Sequence, residues 1–384
     1  MANELLDAAR AAPSDPEAVK TLRAAGYAGV DALASVHRAK PDEMQAVQVD
    51  DAVKRAFDAV CGQRHGWWSR LYWHDSIEPA LEAAGRERKP ILSVRMLGRL
   101  DEDLCCANSR FFRTILYADA EIAATLREKF VLHWASVRPV PKLTVDFGDG
   151  RKLERTITGN AAHLVLDAAA RPVDCIPGLY GPGAFKKRLA WAESTAREVD
   201  PCPAHDARPE TLFVEGAKDV EAIGLGGPSK EAAKAASTGG VAAGVEILNR
   251  AMSDEAWKKL SQRHFEETSI DARARRLMRE GLPGRGGDEP GFAMTKRVVE
   301  DPLMRVLRPL QQSLAEDGVR NEYDLHRRVH ERFADGRAER DAQAFTDWVY
   351  TELFHMPPGD PFLGLAPVDA FTAITGGGED DPER

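Results

Sequence analysis

The side chains best suited to covalent chemistry are two adjacent thiols, Cys105 and Cys106, followed closely by Asn108, Ser109 and Arg110. A helix is expected from about Ser109 to Leu116, which puts Cys106 at its amino end. Backbone N–H groups and the helix dipole there favour a thiolate over a thiol. Arg110, one turn on, adds positive charge, and Asn108 or Ser109 would cap the helix or donate a hydrogen bond to the sulfur. The chemistry would be nucleophilic, with Cys106 forming mixed disulfides on a protein or small thiol and Cys105 acting as a neighbouring resolver. A disulfide between 105 and 106 themselves would be strained. The alternative is a fold that keeps its shape without this chemistry, serves as a binding or scaffold protein, and leaves its cysteines partly buried.

A second grouping, Cys105, Cys106 and His163, offers soft sulfur and imidazole of the kind that suits copper(I) or zinc. A lone histidine at the start of a strand reads more simply as a hydrogen-bonded structural residue, so no metal or cofactor is expected. His326 and His330 stand four apart, on one face of a helix, but without the H-E-x-x-H arrangement. They read as a solvated or packed helix face. Gly224-Leu225-Gly226-Gly227 lacks the G-x-G-x-x-G order, and there is neither a phosphate loop nor a G-x-S-x-G nucleophile turn.

Composition narrows the classes further. The chain has 384 residues, 43% hydrophobic and 29% charged, with a formal net charge of −9. That is ordinary globular composition with no basic footprint for nucleic acid. The first residues have no basic, apolar leader, and no stretch is long enough to cross a bilayer. A cytoplasmic protein with reduced thiols is expected, and the five cysteines, odd in number and irregular in spacing, argue against a disulfide framework.

The elements that must position these residues follow from periodicity and punctuation. Residues 1–66 read as a helical N-terminal region, with Asp15-Pro16 opening one helix. Trp67, Trp68, Tyr72 and Trp73 mark a packed junction. A helix from Ile77 to Arg86 leads to a strand at Ile91–Met96. After the cysteine helix come a helix over 120–129 and a strand opening at Phe130-Val131. A polar hairpin region lies at Phe147–Gly150. Strands at His163–Asp167 and Pro172–Ile176 and a helix over 183–198 close the segment 67–200. Residues 201–240 read as a linker around a weak helix, 241–375 as a helical C-terminal domain, and 376–384 as a solvated tail. The dense apolar run Trp348–Phe354 and the turn-rich 357–365 are expected to form an extended segment packing the C-terminal helices onto the central domain.

An ordered set of short motifs carries a family resemblance. Lys89-Pro90-Ile91-Leu92 is followed by Cys106-Ala107-Asn108-Ser109-Arg110, Tyr117-Ala118-Asp119-Ala120-Glu121-Ile122, Leu126 and Phe130-Val131. This series resembles thioredoxin-like domains over about a third of the chain, and implies an α/β thioredoxin-like sandwich with flanking all-helical regions. By that resemblance the thiol motif is a C-x-x-S variant with Ser109 where a second cysteine usually stands. Ala162 takes the position of the usual cis-proline, and Asn108, Ala162 and His163 would flank the substrate. The lost second thiol implies that ordinary dithiol shuttling is absent.

Overall fold

The run Ile91–Leu97 (β2) is apolar but for Ser93 and Arg95, and every residue in it is buried. Such a run belongs in the centre of a sheet covered on both faces, where alternation is not required. The computed structural model describes residues 2–37, 49–156, 159–198, 200–208, 254–280, 302–361 and 363, and places β2 there. On one side it pairs in parallel with Val131–Arg138 (β3), Leu92 opposite Leu132 and Val94 opposite Trp134. On the other it runs antiparallel to Ala162–Leu166 (β6), with Arg95 opposite Ala162. The two-residue Trp73–His74 (β1) lies outside β3, and Pro172–Pro177 (β7) lies outside β6. The sheet order is therefore β1-β3-β2-β6-β7. The protein is mixed α/β, with a small sheet among many helices.

Helices begin where the sequence supplies caps. Asp15 accepts from the Glu17 N–H, with Pro16 in the first helical position, as its sequence implies. Asp119 accepts from the N–H groups of Glu121 and Ile122 and opens the helix Ala120–Lys129. The expected strands and helices of the central segment are all present, with ends shifted by a few residues. Around the expected Phe147–Gly150 turn, the chain forms a separate antiparallel ribbon of Lys142–Asp146 (β4) and Lys152–Thr156 (β5). Its residues are exposed almost throughout.

The helices from Arg327 onward share the sheet's core, while Trp257, Leu260, Val319 and Tyr323 form a small cluster of their own. Val329, Phe333, Phe345, Val349, Tyr350 and Leu353 pack into the cluster containing β2, β6 and β7. The run expected to be extended is helical: Ala342–Trp348 continues into a wider π-helical turn, Val349–Leu353. Its apolar faces bury, as do Phe354 and Met356 beyond it. Trp67 and Trp68 pack into a second core with the N-terminal helices and Ile270, Ala274 and Leu277, while Trp73 joins the sheet core. Of the expected linker, residues 202–208 form a helix. The rest of it, and the tail at 376–384, lie outside the described residues. Among the described residues, no helix is long and apolar enough to cross a membrane.

Candidate functional site

Past β2 the chain turns at Gly98 (φ 77°) and returns, and the Cys106 N–H donates to the Leu97 carbonyl at 3.1 Å. That bond fixes Cys106 beside the end of the central strand. The helix starts at Ala107, two residues earlier than expected, and Cys106 itself is the capping residue, in place of Asn108 or Ser109. Its Sγ accepts from the Ser109 N–H at 3.4 Å and lies 3.2 Å from Ser109 Oγ. Ser109 Oγ also donates to the Cys106 carbonyl at 3.0 Å. The helix widens at Phe112–Leu116 into a π-helical turn, closed by Tyr117 N–H on the Phe112 carbonyl. The sulfur thus stands at the amino end of a helix, as expected.

It does not stand open to solvent: Cys105, Cys106 and Ser109 are each 0% exposed. The cover comes from two residues the sequence reading missed. A Cβ on Gly159 would fall 2.2 Å from the Cys106 Cβ, so only glycine backbone passes there. The Asn160 carbonyl lies 3.9 Å from Sγ, and the Asn160 side chain accepts from Asn108 Nδ2 at 2.6 Å. A third, Tyr350 from the C-terminal helices, donates its hydroxyl to the Asn160 carbonyl (2.9 Å) and reaches the Arg95 carbonyl (3.2 Å). The signal for the first two was Gly159-Asn160 itself, just ahead of the strand where backbone was expected to face the sulfur. For Tyr350 no local signal exists.

The other expected site residues divide. Arg110 turns from the sulfur to donate to Thr156 Oγ1 at 2.9 Å, at the end of β5. Burial pushes the Cys105 thiol pKa up, against the opposing influence of the Arg113 guanidinium and Ser109. Arg113 is itself buried and held by the carbonyls of Leu100, Glu102 and Asp103. Ala162 is a ladder residue between Arg95 and Pro177, with a trans peptide bond. His163 is held away from any substrate role: its Nε2 shares a 2.8 Å hydrogen bond with the Tyr117 hydroxyl, and Phe112 and Phe185 flank its ring. Burial pushes its pKa down to about 3, so it is neutral. This is the structural histidine of the simpler reading. Cys105, Cys106 and His163 do not converge as a metal site among the described residues.

His326 and His330 are the packed helix face, both fully buried, but their neighbour was missed. Asp174, in the middle of β7, is also 0% exposed, and the ligating atoms of the three side chains lie within 4.8 Å of one another. An acid inside the apolar run Val173-Asp174-Cys175-Ile176 was the available signal. No family model matches the chain, and no curated protein or solved structure matches it either.

Proposed function

We propose that residues 67–200 form a thioredoxin-like domain that works by binding a partner protein in the cytoplasm, not by turning over disulfides. The sheet order, with two antiparallel strands following a parallel set, and the sulfur at a helix start after the central strand support the fold reading. One observation carries the function: the Cys106 sulfur is enclosed and engaged in capping its own helix, and Ser109 stands where a resolving thiol would be. All five cysteines are free, in keeping with a reducing compartment.

The surface best suited to a partner is the β4–β5 ribbon. Among the described residues, four of the five exposed large hydrophobics lie on or beside it: Leu143, Val145, Phe147 and Leu153. Leu143 and Val145 share a face, and Leu153 sits directly across from Val145. A contiguous apolar face at this level of exposure marks an interaction surface more often than a scattered one does.

A second reading rests on the Ser109 N–H that donates to Sγ. In it, the Cys106 thiolate attacks a partner disulfide and forms one new S–S bond. The partner's other sulfur leaves as a thiolate, and the mixed disulfide persists because Ser109 cannot resolve it. Two measurements separate the readings. A photoreactive amino acid at Val145 in the full chain should give a partner adduct in the producing cells, where one at Arg86 gives none. Cys106→Ser should leave the adduct intact and Leu153→Asp should abolish it. A thiol reagent should label Cys106 only after unfolding. Absence of the adduct, or rapid stoichiometric labelling of native Cys106, overturns the binding reading, and the latter establishes the thiol one.

A further inference from the structure

The buried histidines of the C-terminal helices form a network whose hydrogen bonds run in one direction. His205, on the helix 202–208, places Nε2 2.8 Å from the Val173 carbonyl and Nδ1 2.8 Å from Nδ1 of His330. A carbonyl only accepts, so Nε2 of His205 carries a proton. His205 is wholly buried with no carboxylate on its ring, so it is neutral and its Nδ1 is an acceptor. His330 therefore donates from Nδ1, and its Nε2 keeps a bare lone pair. That atom is buried and has no hydrogen-bond partner, and neither has Oδ2 of Asp174. Buried polar atoms are seldom left so.

We propose that Asp174, His326 and His330 bind a divalent transition ion of the zinc class, tying the helix Arg327–Ala334 to strand β7. The donor set of two imidazoles and a carboxylate suits such an ion. Ligands around a tetrahedral ion at roughly 2.0–2.1 Å sit roughly 3.4 Å apart. His326 Nε2 and Asp174 Oδ1 are already 3.4 Å apart. The rings of His326 and His330 stack 4.2 Å apart, one helical turn along. Each imidazole has a partner behind it, as metal-binding histidines ordinarily do. His205 stands behind His330, and Glu322 Oε2 lies 3.4 Å from His326 Nδ1. Glu322 is in turn fixed by Arg188 and Arg208.

A protonated His326 between Asp174 and Glu322 is the competing account. It satisfies Asp174 Oδ1 but leaves Oδ2 and the His330 lone pair with nothing, whereas an ion engages both. Glu322, behind His326, also lines a cavity of 340 Å³ together with Tyr180, Arg188 and Arg208.

The test uses untagged full-length protein stripped with a chelator, then titrated with Zn²⁺ by calorimetry and with Co²⁺ by visible absorption. One equivalent should bind, with a rise in thermal midpoint and Co²⁺ d–d bands lacking a thiolate charge-transfer band. Asp174→Asn and His330→Gln should each weaken binding by at least tenfold, and His205→Phe, behind the ligand, by about tenfold or more. Failure of folded wild-type protein to take up a stoichiometric ion overturns the proposal. So does a thiolate band, which would locate the ion at a cysteine. Should the variants fail to fold, the wild-type stoichiometry and Co²⁺ spectrum decide alone.

Discussion

Gly159 and Cys106 are packed so closely that a single methyl group at position 159 would fall 2.2 Å from the Cys106 Cβ and 3.0 Å from its Cα. The Gly159 backbone also has φ 152°, a conformation L side chains rarely adopt. Gly159→Ala therefore has both strain and a clash to relieve, and the loop must move off the sulfur. The expected outcome is a stability loss of about 1–3 kcal/mol, the range for overpacking in a well-packed core, with new reactivity of Cys106 in the folded state. Chemical denaturation and thiol labelling of the variant check both. A variant as stable and as unreactive as the parent would show that the loop does not close the site.

Tyr350 links the C-terminal helices to the same loop. Removing its hydroxyl in Tyr350→Phe takes away the one donor that the Asn160 and Arg95 carbonyls share. The expected cost is about 1–2 kcal/mol, with little change in packing because the ring remains. Hydrogen exchange should show faster opening around 159–162 and around 342–353 together. Faster exchange in only one of the two would mean that the hydroxyl does not couple them.

Local rules made much of the central segment legible. The largely apolar run at Ile91–Met96 announced a strand, and Asp15-Pro16 announced a helix start. They also placed Cys106 at a helix start. What they could not give was the cover over it. Asn160 is 54 residues away and Tyr350 more than 240, and nothing local to either residue says that they meet over one sulfur. The same limit hid Asp174 from His326, 152 residues apart. Trp348–Leu353 reads as part of an extended packing segment because its dense apolar residues adjoin the turn-rich 357–365, whose Pro and Gly favour turns. Burial of Val349, Tyr350 and Leu353 along one helical face overrode that preference.

Acid should destabilise the protein through its buried imidazoles. Burial holds the pKa of His163 and His133 down to about 3, and that of His65 to about 4, from an ordinary value of 6.5. In the unfolded chain these groups bind protons near pH 6.5, and in the folded chain they do not. The stability they confer is fully present above about 6.5 and is lost progressively as pH falls toward 3. Each contributes a slope of about 1.4 kcal/mol per pH unit inside that window. His163→Gln should remove one proton's worth of slope between pH 6 and 4 in urea unfolding, and an unchanged slope would mean that His163 is already protonated in the fold.

The capping role of Cys106 separates its chemistry from its structure. Cys106→Ser keeps an acceptor for the Ser109 N–H in a residue type well suited to helix starts, while Cys106→Ala removes it. Alanine should cost about 1 kcal/mol more than serine in thermal or denaturant unfolding. Equal stability of the two variants would leave the sulfur without a structural duty and strengthen the thiol reading.

The ribbon supplies the opposite kind of variant. Val145 and Leu153 face each other across β4 and β5 and are 39% and 36% exposed, so a charged residue at either needs no burial. Val145→Lys and Leu153→Asp should each change unfolding stability by no more than about 0.5 kcal/mol, as surface substitutions usually do. Together they place opposite charges on a cross-strand pair, which holds the ribbon together while destroying its apolar face. Partner adducts should disappear in the double variant although circular dichroism and melting stay at parental values. Large destabilisation would instead mean that this face is already covered within the protein, and would remove the ribbon as the binding surface.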